Sequence, residues 1–301
     1  MVRYMRSLTS AILMMLFGLI AVGIVGALDW PVQKEVLTAT FGENRWDHFH
    51  DGIDIGGGEQ QVHPSADGQV LFTFDEGQDV RDLPTGLGSF MVLQHGQDIR
   101  TLYAHMKRGS VLTNKSTVST GDVIGVVGDT GDSVGRHLHF EVIDRAKGEI
   151  INPLTVLPSL ADTVNPVIRS VSIEQNKKIT ALRPTMTVEG GEAALVVDVY
   201  DPSQYVEYFD PMAPYEIEAT LNGSELFNVT YDALKDTNGT AYLVSSDHRS
   251  FDNYYVDTWS VRLGTFSLAT GQAHLTVVAR DIAGNETSRS YFLTVLGSNS
   301  K

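Results

Sequence analysis

The chain has no cysteine, which excludes a disulfide framework, a thiolate nucleophile and a cysteine-ligated zinc site. Any metal centre must therefore be built from His, Asp and Glu. Basic residues are scarce: 22 Lys and Arg stand against 37 Asp and Glu, a formal net charge of -15 at pH 7. That balance argues against nucleic acid as a partner, because neutralising phosphates takes clustered Lys and Arg. An anionic polymer would have to be held by local contacts and not by overall attraction. Helical periodicity is missing as well, since no long segment carries apolar residues at helical spacing between caps.

What is present begins with a targeting segment over residues 1–28. Arg3 and Arg6 form a positive start, residues 11–28 are uncharged and largely apolar, and Val25-Gly26-Ala27 offers the small residues a signal peptidase prefers. The run is close to the shortest that spans a bilayer, which leaves an uncleaved membrane anchor as the alternative. Either way the folded part is expected outside the cytoplasm, in a periplasm or an extracellular space. With 301 residues there is room for two ordinary domains. A hydrophobic content of 42% with 20% charged residues describes a folded chain and not a disordered one.

From Asp29 to about Leu157 the sequence is a series of short runs rich in Val, Ile, Leu and Phe, broken by Gly. Residues 68–74, 89–95, 99–106 and 122–128 read as strands, and the polar stretch 75–88 as an exposed loop. Residues 158–166 look like a linker. Beyond it, 194–200, 215–221, 272–280 and 290–295 are strand-like, and in 215–221 apolar Tyr215, Ile217, Ala219 and Leu221 alternate with polar residues, as in a half-buried strand. Strands at such spacing predict a β-sandwich for 167–297. Its Asp281-Ile282-Ala283-Gly284-Asn285 turn resembles that of bacterial immunoglobulin-like modules.

The chemistry-bearing residues fall in three places. In Gly135-Arg136-His137-Leu138-His139-Phe140-Glu141-Val142, strand alternation puts His137 and His139 on one face and Leu138 and Phe140 on the other. In His50-Asp51-Gly52-Ile53-Asp54 the residues four apart share a face of an extended chain, and the glycines disfavour a helix. Tyr103-Ala104-His105-Met106 closes a predicted strand. His50, Asp54 and one histidine of the later pair would give three protein ligands and leave a tetrahedral zinc one position for water. The spacing does not decide between His137 and His139, and each motif alone is also compatible with a surface loop or a packed histidine.

Together and in this order the three motifs resemble the lysostaphin/LytM family of zinc metalloendopeptidases, which cut the peptides of bacterial peptidoglycan. Supporting matches are Pro64-Ser65-Ala66-Asp67-Gly68, His95-Gly96, Gly121-Asp122 with Gly128, and Ile151-Asn152-Pro153, so the resemblance covers about residues 41–157. It implies one zinc ion held by His50, Asp54 and His139, with His105 and His137 lining the reaction centre as catalytic residues and a zinc-activated water as nucleophile. It also implies an antiparallel β-sheet catalytic domain of the duplicated hybrid motif type over 29–158; with a linker over 159–166 and the immunoglobulin-like sandwich read above for 167–297, the whole chain is expected to be all-β. Imidazole is suited to moving protons at neutral pH. On that basis His137 is expected to pass the water's proton to the departing amine, and His105 to hydrogen-bond the water or the developing oxyanion.

Peptidoglycan peptides are thus the expected partner, and the sandwich is expected to act as a spacer or to dock to wall or protein. An alternative class keeps the fold but binds and activates another wall hydrolase; such members typically lack some zinc ligands, whereas here all three ligand positions and both accessory histidines are filled. Arg136 stands where many members carry proline or a small residue, at the border of the expected cleft. His48 is a minor rival for the metal. His63, His95, His248 and His274 are expected to be structural or exposed, and Glu141 to support the site or the packing.

Overall fold

The computed structural model describes residues 28–78, 85–203, 212–245 and 249–297. The predicted targeting segment lies outside these apart from Leu28, which packs into the core at 2% exposure while Asp29 N donates to Ser65 O. No helix among the described residues is long and apolar enough to cross a membrane. Among the described residues the regular elements are nearly all strands, and helix is limited to one turn at Phe251–Tyr254 and a 3-10 turn at Pro153–Thr155.

An eleven-stranded antiparallel sheet carries the histidine motifs. At its centre Leu138–Asp144 pairs with Ile99–Met106 on one side, followed outward by Ser89–His95, Gly68–Phe74 and Thr117–Val118. On its other side the strand is shared. Its start, residues 138–140, pairs with Ile53–Ile55, and its end, residues 142–144, pairs with Glu149–Ile151. Leu138 and Phe140 are fully buried, as alternation requires, and pack with Ile53, Ile55, Leu93 and Tyr103. The expected strands at 68–74, 89–95 and 99–106 occur with those bounds. The expected strand at 122–128 shrinks to Gly125–Val126, paired with Gln61–Val62. Gly128 there presses on the Lys107 backbone, where a Cβ would lie 2.3 Å from Lys107 N.

The loop after Phe74 is not exposed from its first residue. Asp75 is buried, and its carboxylate accepts from Gly77 N, Gly109 N and Val111 N at 2.7–3.1 Å. Residues 79–84 of that loop lie outside the described residues.

Within residues 167–297 the described strands outside 233–250 form two facing sheets, one of four and one of five strands. Val171, Leu195, Val197 and Leu263 from the first meet Ile217, Ala219, Leu275, Val277 and Leu293 from the second, all at 0% exposure. All pairings are antiparallel except Thr185–Glu189 with Glu286–Leu296. A hairpin leaves this sandwich and joins the first sheet. Its strand Ala233–Thr237 pairs Leu234 with Ile150 and Ala233 with Ile151, and Thr240–Leu243 and Arg249–Ser250 extend the sheet beyond it.

Candidate metal centre

Strand register builds the site. Asp54 faces His139 across one pair and Ala104 faces His139 across the next, so Asp54 and His139 are same-face neighbours whose Cβ atoms such pairing holds about 5 Å apart. His139 Nδ1 lies 3.0 Å from Asp54 Oδ1 and 3.1 Å from His50 Nε2. His50 Nε2 in turn is 3.1 Å from Asp54 Oδ1. The three atoms form a nearly equilateral triangle, and all three residues are buried.

The outer nitrogen of each ring reveals what the inner one carries. His50 Nδ1 is 2.7 Å from the carbonyl oxygen of Thr40, which can only accept. The hydrogen therefore sits on Nδ1 and the lone pair on Nε2. His139 Nε2 faces Glu141 Oε1 at 3.2 Å, which likewise directs the lone pair of a neutral ring onto Nδ1. Two lone pairs and a carboxylate oxygen aimed at one another repel unless a cation lies among them. Four-coordinate zinc with bonds of ~2.0–2.1 Å separates its ligands by ~3.3 Å. The triangle fits such an ion after a shift of a few tenths of an ångström.

The electrostatics agree. Burial would raise the Asp54 carboxyl, but His50 and His139 outweigh it and hold the group well below the usual carboxylate range. Burial lowers His50 against the pull of Asp54. An ionised carboxylate and a neutral imidazole are the forms that bind metal. For His139 burial would lower the value too, yet its hydrogen bonds to Asp54 and Glu141 lift it to about 10. Without a metal the cluster takes up a proton among these three groups.

Supporting groups surround these three. Asp54 Oδ2 accepts from Arg45 at 2.7 Å, and the same guanidinium reaches Glu43 Oε1 at 2.9 Å. Burial, only partly offset by Arg45, pushes Glu43 up to about 8. Neither Arg45, Glu43 nor the Thr40 carbonyl follows from the sequence motifs, because no spacing rule marks a residue that acts through another's second oxygen. Gly52 has a steric reason: a Cβ there would lie 2.5 Å from Phe140 O and 2.8 Å from the His139 ring.

His105 and His137 flank the triangle. Alternation would send His105 to the face opposite Ala104, but the strand bulges between its pairings Ser89–Met106 and Met91–Tyr103, and His105 takes a left-handed φ of 58°. Bulges of this kind re-aim a side chain. Its ring centroid lies 4.8 Å from that of His137 and 5.9 Å from that of His139. His105 Nδ1 donates to Thr130 O at 2.8 Å. Burial first, then His137 and His139, lowers it to about 4. His137 Nδ1 lies 3.0 Å from Gly135 O, and Nε2 faces inward, 3.7 Å from Asp54 Oδ1.

The other histidines stay apart from the centre. His48 is exposed on Asp47. His95 bridges Asp67 O and Thr101 Oγ1, and Thr101 passes the chain on to the Tyr103 hydroxyl and Ser65 N, which ties two of the sequence motifs into one buried network. His63 Nδ1 bonds Asp122 O, and His274 stacks on Phe292 at 4.5 Å. His248 lies outside the described residues. Arg136 is exposed, its guanidinium 3.6 Å from Glu59.

The family model described as Peptidase family M23 matches residues 48–153, the stretch that holds His50, Asp54, His105, His137 and His139. This part of the chain belongs to peptidase family M23. The chain is 37% identical over 109 residues to the DD-carboxypeptidase/endopeptidase Mpg of Neisseria meningitidis, covering 36% of this chain and 23% of that protein. It is 33% identical over 138 residues to the murein hydrolase activator NlpD of Salmonella dublin, covering 44% and 32%. The chain thus spans about a quarter to a third of the length of these curated relatives. Among solved structures it is similar to a zinc containing peptidase from Vibrio cholerae, at 26% identity and a TM-score of 0.36, covering 45% of this chain and 40% of that one. A second family model, which carries no description, matches residues 165–296.

Proposed function

We propose that the protein is an exported zinc metalloendopeptidase that hydrolyses peptide bonds in bacterial peptidoglycan. The observation that carries this is the buried triangle of His50, Asp54 and His139, with Nε2 of His137 directed at its open side. A bound zinc supplies Lewis acidity to the scissile carbonyl and acidifies a water beside it. His50, Asp54 and His139 hold the ion, while Arg45 and Glu141 fix the carboxylate and the ring that face it. His137, its Nδ1–H committed to Gly135 O, presents a lone pair on Nε2 to take the water's proton and deliver it to the departing amine. His105 is neutral with Nδ1–H committed to Thr130 O, so its Nε2 accepts. This narrows its expected part to orienting the water, because a donor to the oxyanion would need a second proton on a ring that burial keeps neutral.

Residues 1–28, together with the wall-directed names of the relatives, support export. Similarity to NlpD favours a second reading, in which the chain activates another murein hydrolase. One experiment separates the two. The zinc-loaded protein is incubated with purified peptidoglycan beside a His139→Ala control, and new amino termini are counted. The expected result is release by the wild type alone, with mass spectrometry of the fragments naming the bond. No release, or equal release from the control, overturns the enzyme; stimulation of an added wall hydrolase by both forms would establish the activator.

A further inference from the structure

A second cluster of ligand atoms lies where the linker enters the sandwich. Asp162 comes from the linker, Asp201 from just beyond the Gly191–Tyr200 strand, and Asp281 from the turn between Gly271–Arg280 and Glu286–Leu296. One carboxylate oxygen of each lies within 4.8 Å of the other two. Asp201 and Asp281 are buried, at 6% and 4% exposure. Acidic side chains gathered in this way are common without an ion, so the partners of each oxygen decide the matter.

Asp162 Oδ1 accepts from Val164 N. Asp281 accepts from Asn285 through both oxygens, from the backbone N at 2.8 Å and from Nδ2 at 2.7 Å. Asn285 Nδ2 also reaches Asp162 O at 3.2 Å, which ties the turn to the linker. Asp201 has nothing comparable: its Oδ1 is buried without a hydrogen-bond partner. Among the described residues no Lys, Arg or His forms an ion pair with any of the three. A buried, unpartnered carboxylate oxygen beside two more carboxylates is strongly unfavourable unless it is neutralised. The protein's own response is to hold on to a proton: burial, then Asp281, then Asp162, pushes Asp201 up to about 8. A cavity of about 420 Å³, lined in part by Asp162, Asp201, Met212 and Tyr215, borders the cluster and has room for water.

The geometry points to a calcium site formed by Asp162, Asp201 and Asp281, with water from the cavity completing the shell. All donors are oxygen, which selects a hard cation over zinc. Ligands drawn from a linker, a strand end and a turn suit the variable coordination of calcium better than the strict octahedron of magnesium. The ion fastens the linker to the sandwich at the point where the M23 domain departs, and it is independent of the zinc centre and of any catalytic role.

The test uses the whole protein, stripped of divalent ions on a chelating resin. Calcium chloride is titrated in a calorimeter, and thermal unfolding is followed in parallel. One calcium is expected per chain, with a dissociation constant of ~0.1–1 mM as in extracellular modules. Tm should rise by about 3 °C at a tenfold excess over that constant, and magnesium chloride should do much less. Asp201→Asn should abolish the calcium response while leaving the metal-free Tm equal to or above that of the wild type, because the amide is neutral without having to hold a proton. A purely structural aspartate would instead lower the metal-free Tm. Asp162→Asn, at a partly exposed position, should weaken binding without unfolding the chain, and His139→Ala should keep the full response. No calcium-dependent heat or Tm shift, a calcium response retained by Asp201→Asn, or one lost in His139→Ala would each overturn the site.

Discussion

Asp54 works through both of its oxygens. Oδ1 faces His50 and His139, and Oδ2 is held by Arg45. A ligand whose free oxygen is anchored loses less freedom on binding, and removing such a support typically weakens a metal site ~10–100-fold. Arg45→Met is therefore expected to lower zinc affinity by that factor, read by competition with a chromogenic chelator, while kcat at saturating zinc changes little. His105 gives a second residue-scale prediction. Its value in the folded protein, about 4, lies below the ordinary 6.5. Between these pH values the unfolded chain binds a proton that the native site refuses. In the metal-free protein its share of stability is thus complete above about 6.5 and is lost as pH falls through about 4. Urea midpoints measured from pH 7.5 to 4 should decline, and His105→Gln should flatten the decline. Under the proposed chemistry the same variant keeps both limbs of its pH–rate profile, since His105 stays neutral throughout the working range.

At the scale of elements, period-2 alternation made much of the first sheet legible. Leu138 and Phe140 inward with His139 at the site follows from it, as do the bounds of three strands. The aim of His105 does not, because a bulge cancels the alternation and no residue type announces it. Nor does the hairpin at Ala233–Leu243, whose partner strand Glu149–Ile151 is more than 80 residues away in sequence and belongs to the M23 part. The segment that carries His50 is braced by that same insertion. Phe49 packs on Phe251, Tyr254 and Tyr255 with ring centroids 5.5–6.0 Å apart, and the Tyr255 hydroxyl donates to Gly42 O. Gly42 N in turn donates to His50 O, and Gly42 itself lies flat against Tyr231, where a Cβ would come within 2.3 Å of the ring. Phe49→Ala should cost ~3–5 kcal/mol by opening this contact. Its sharper signature is local: faster amide exchange over residues 42–50 and weaker zinc binding, against unchanged exchange in the Gly271–Arg280 strand.

The whole molecule is joined by more than a linker. Asn152, in the Ile151-Asn152-Pro153 match, caps the turn at Pro153–Thr155 and donates through Nδ2 to Tyr231 O at 2.9 Å, while Thr40 donates to Ala213 O. Phe49, Tyr231, Leu234 and Tyr254 are each at most 2% exposed and lie where the M23 part meets the inserted segment. At ~1.5–3 kcal/mol for each large apolar side chain, their burial is worth ~6–12 kcal/mol. A fragment ending at residue 158 would lose these contacts, uncover Phe41 and Phe49, and leave the Ile150–Ile151 edge unpaired and open to association with other chains. The fragment is therefore expected to aggregate or to unfold well below the full chain, and to release zinc as the segment carrying His50 loosens. Size-exclusion chromatography and thermal unfolding of the two forms side by side provide the check. A monomeric fragment with full zinc affinity would show that the inserted segment merely touches the M23 domain. Loss of both properties would make the sandwich, through its hairpin and tyrosines, part of what holds the metal triangle closed.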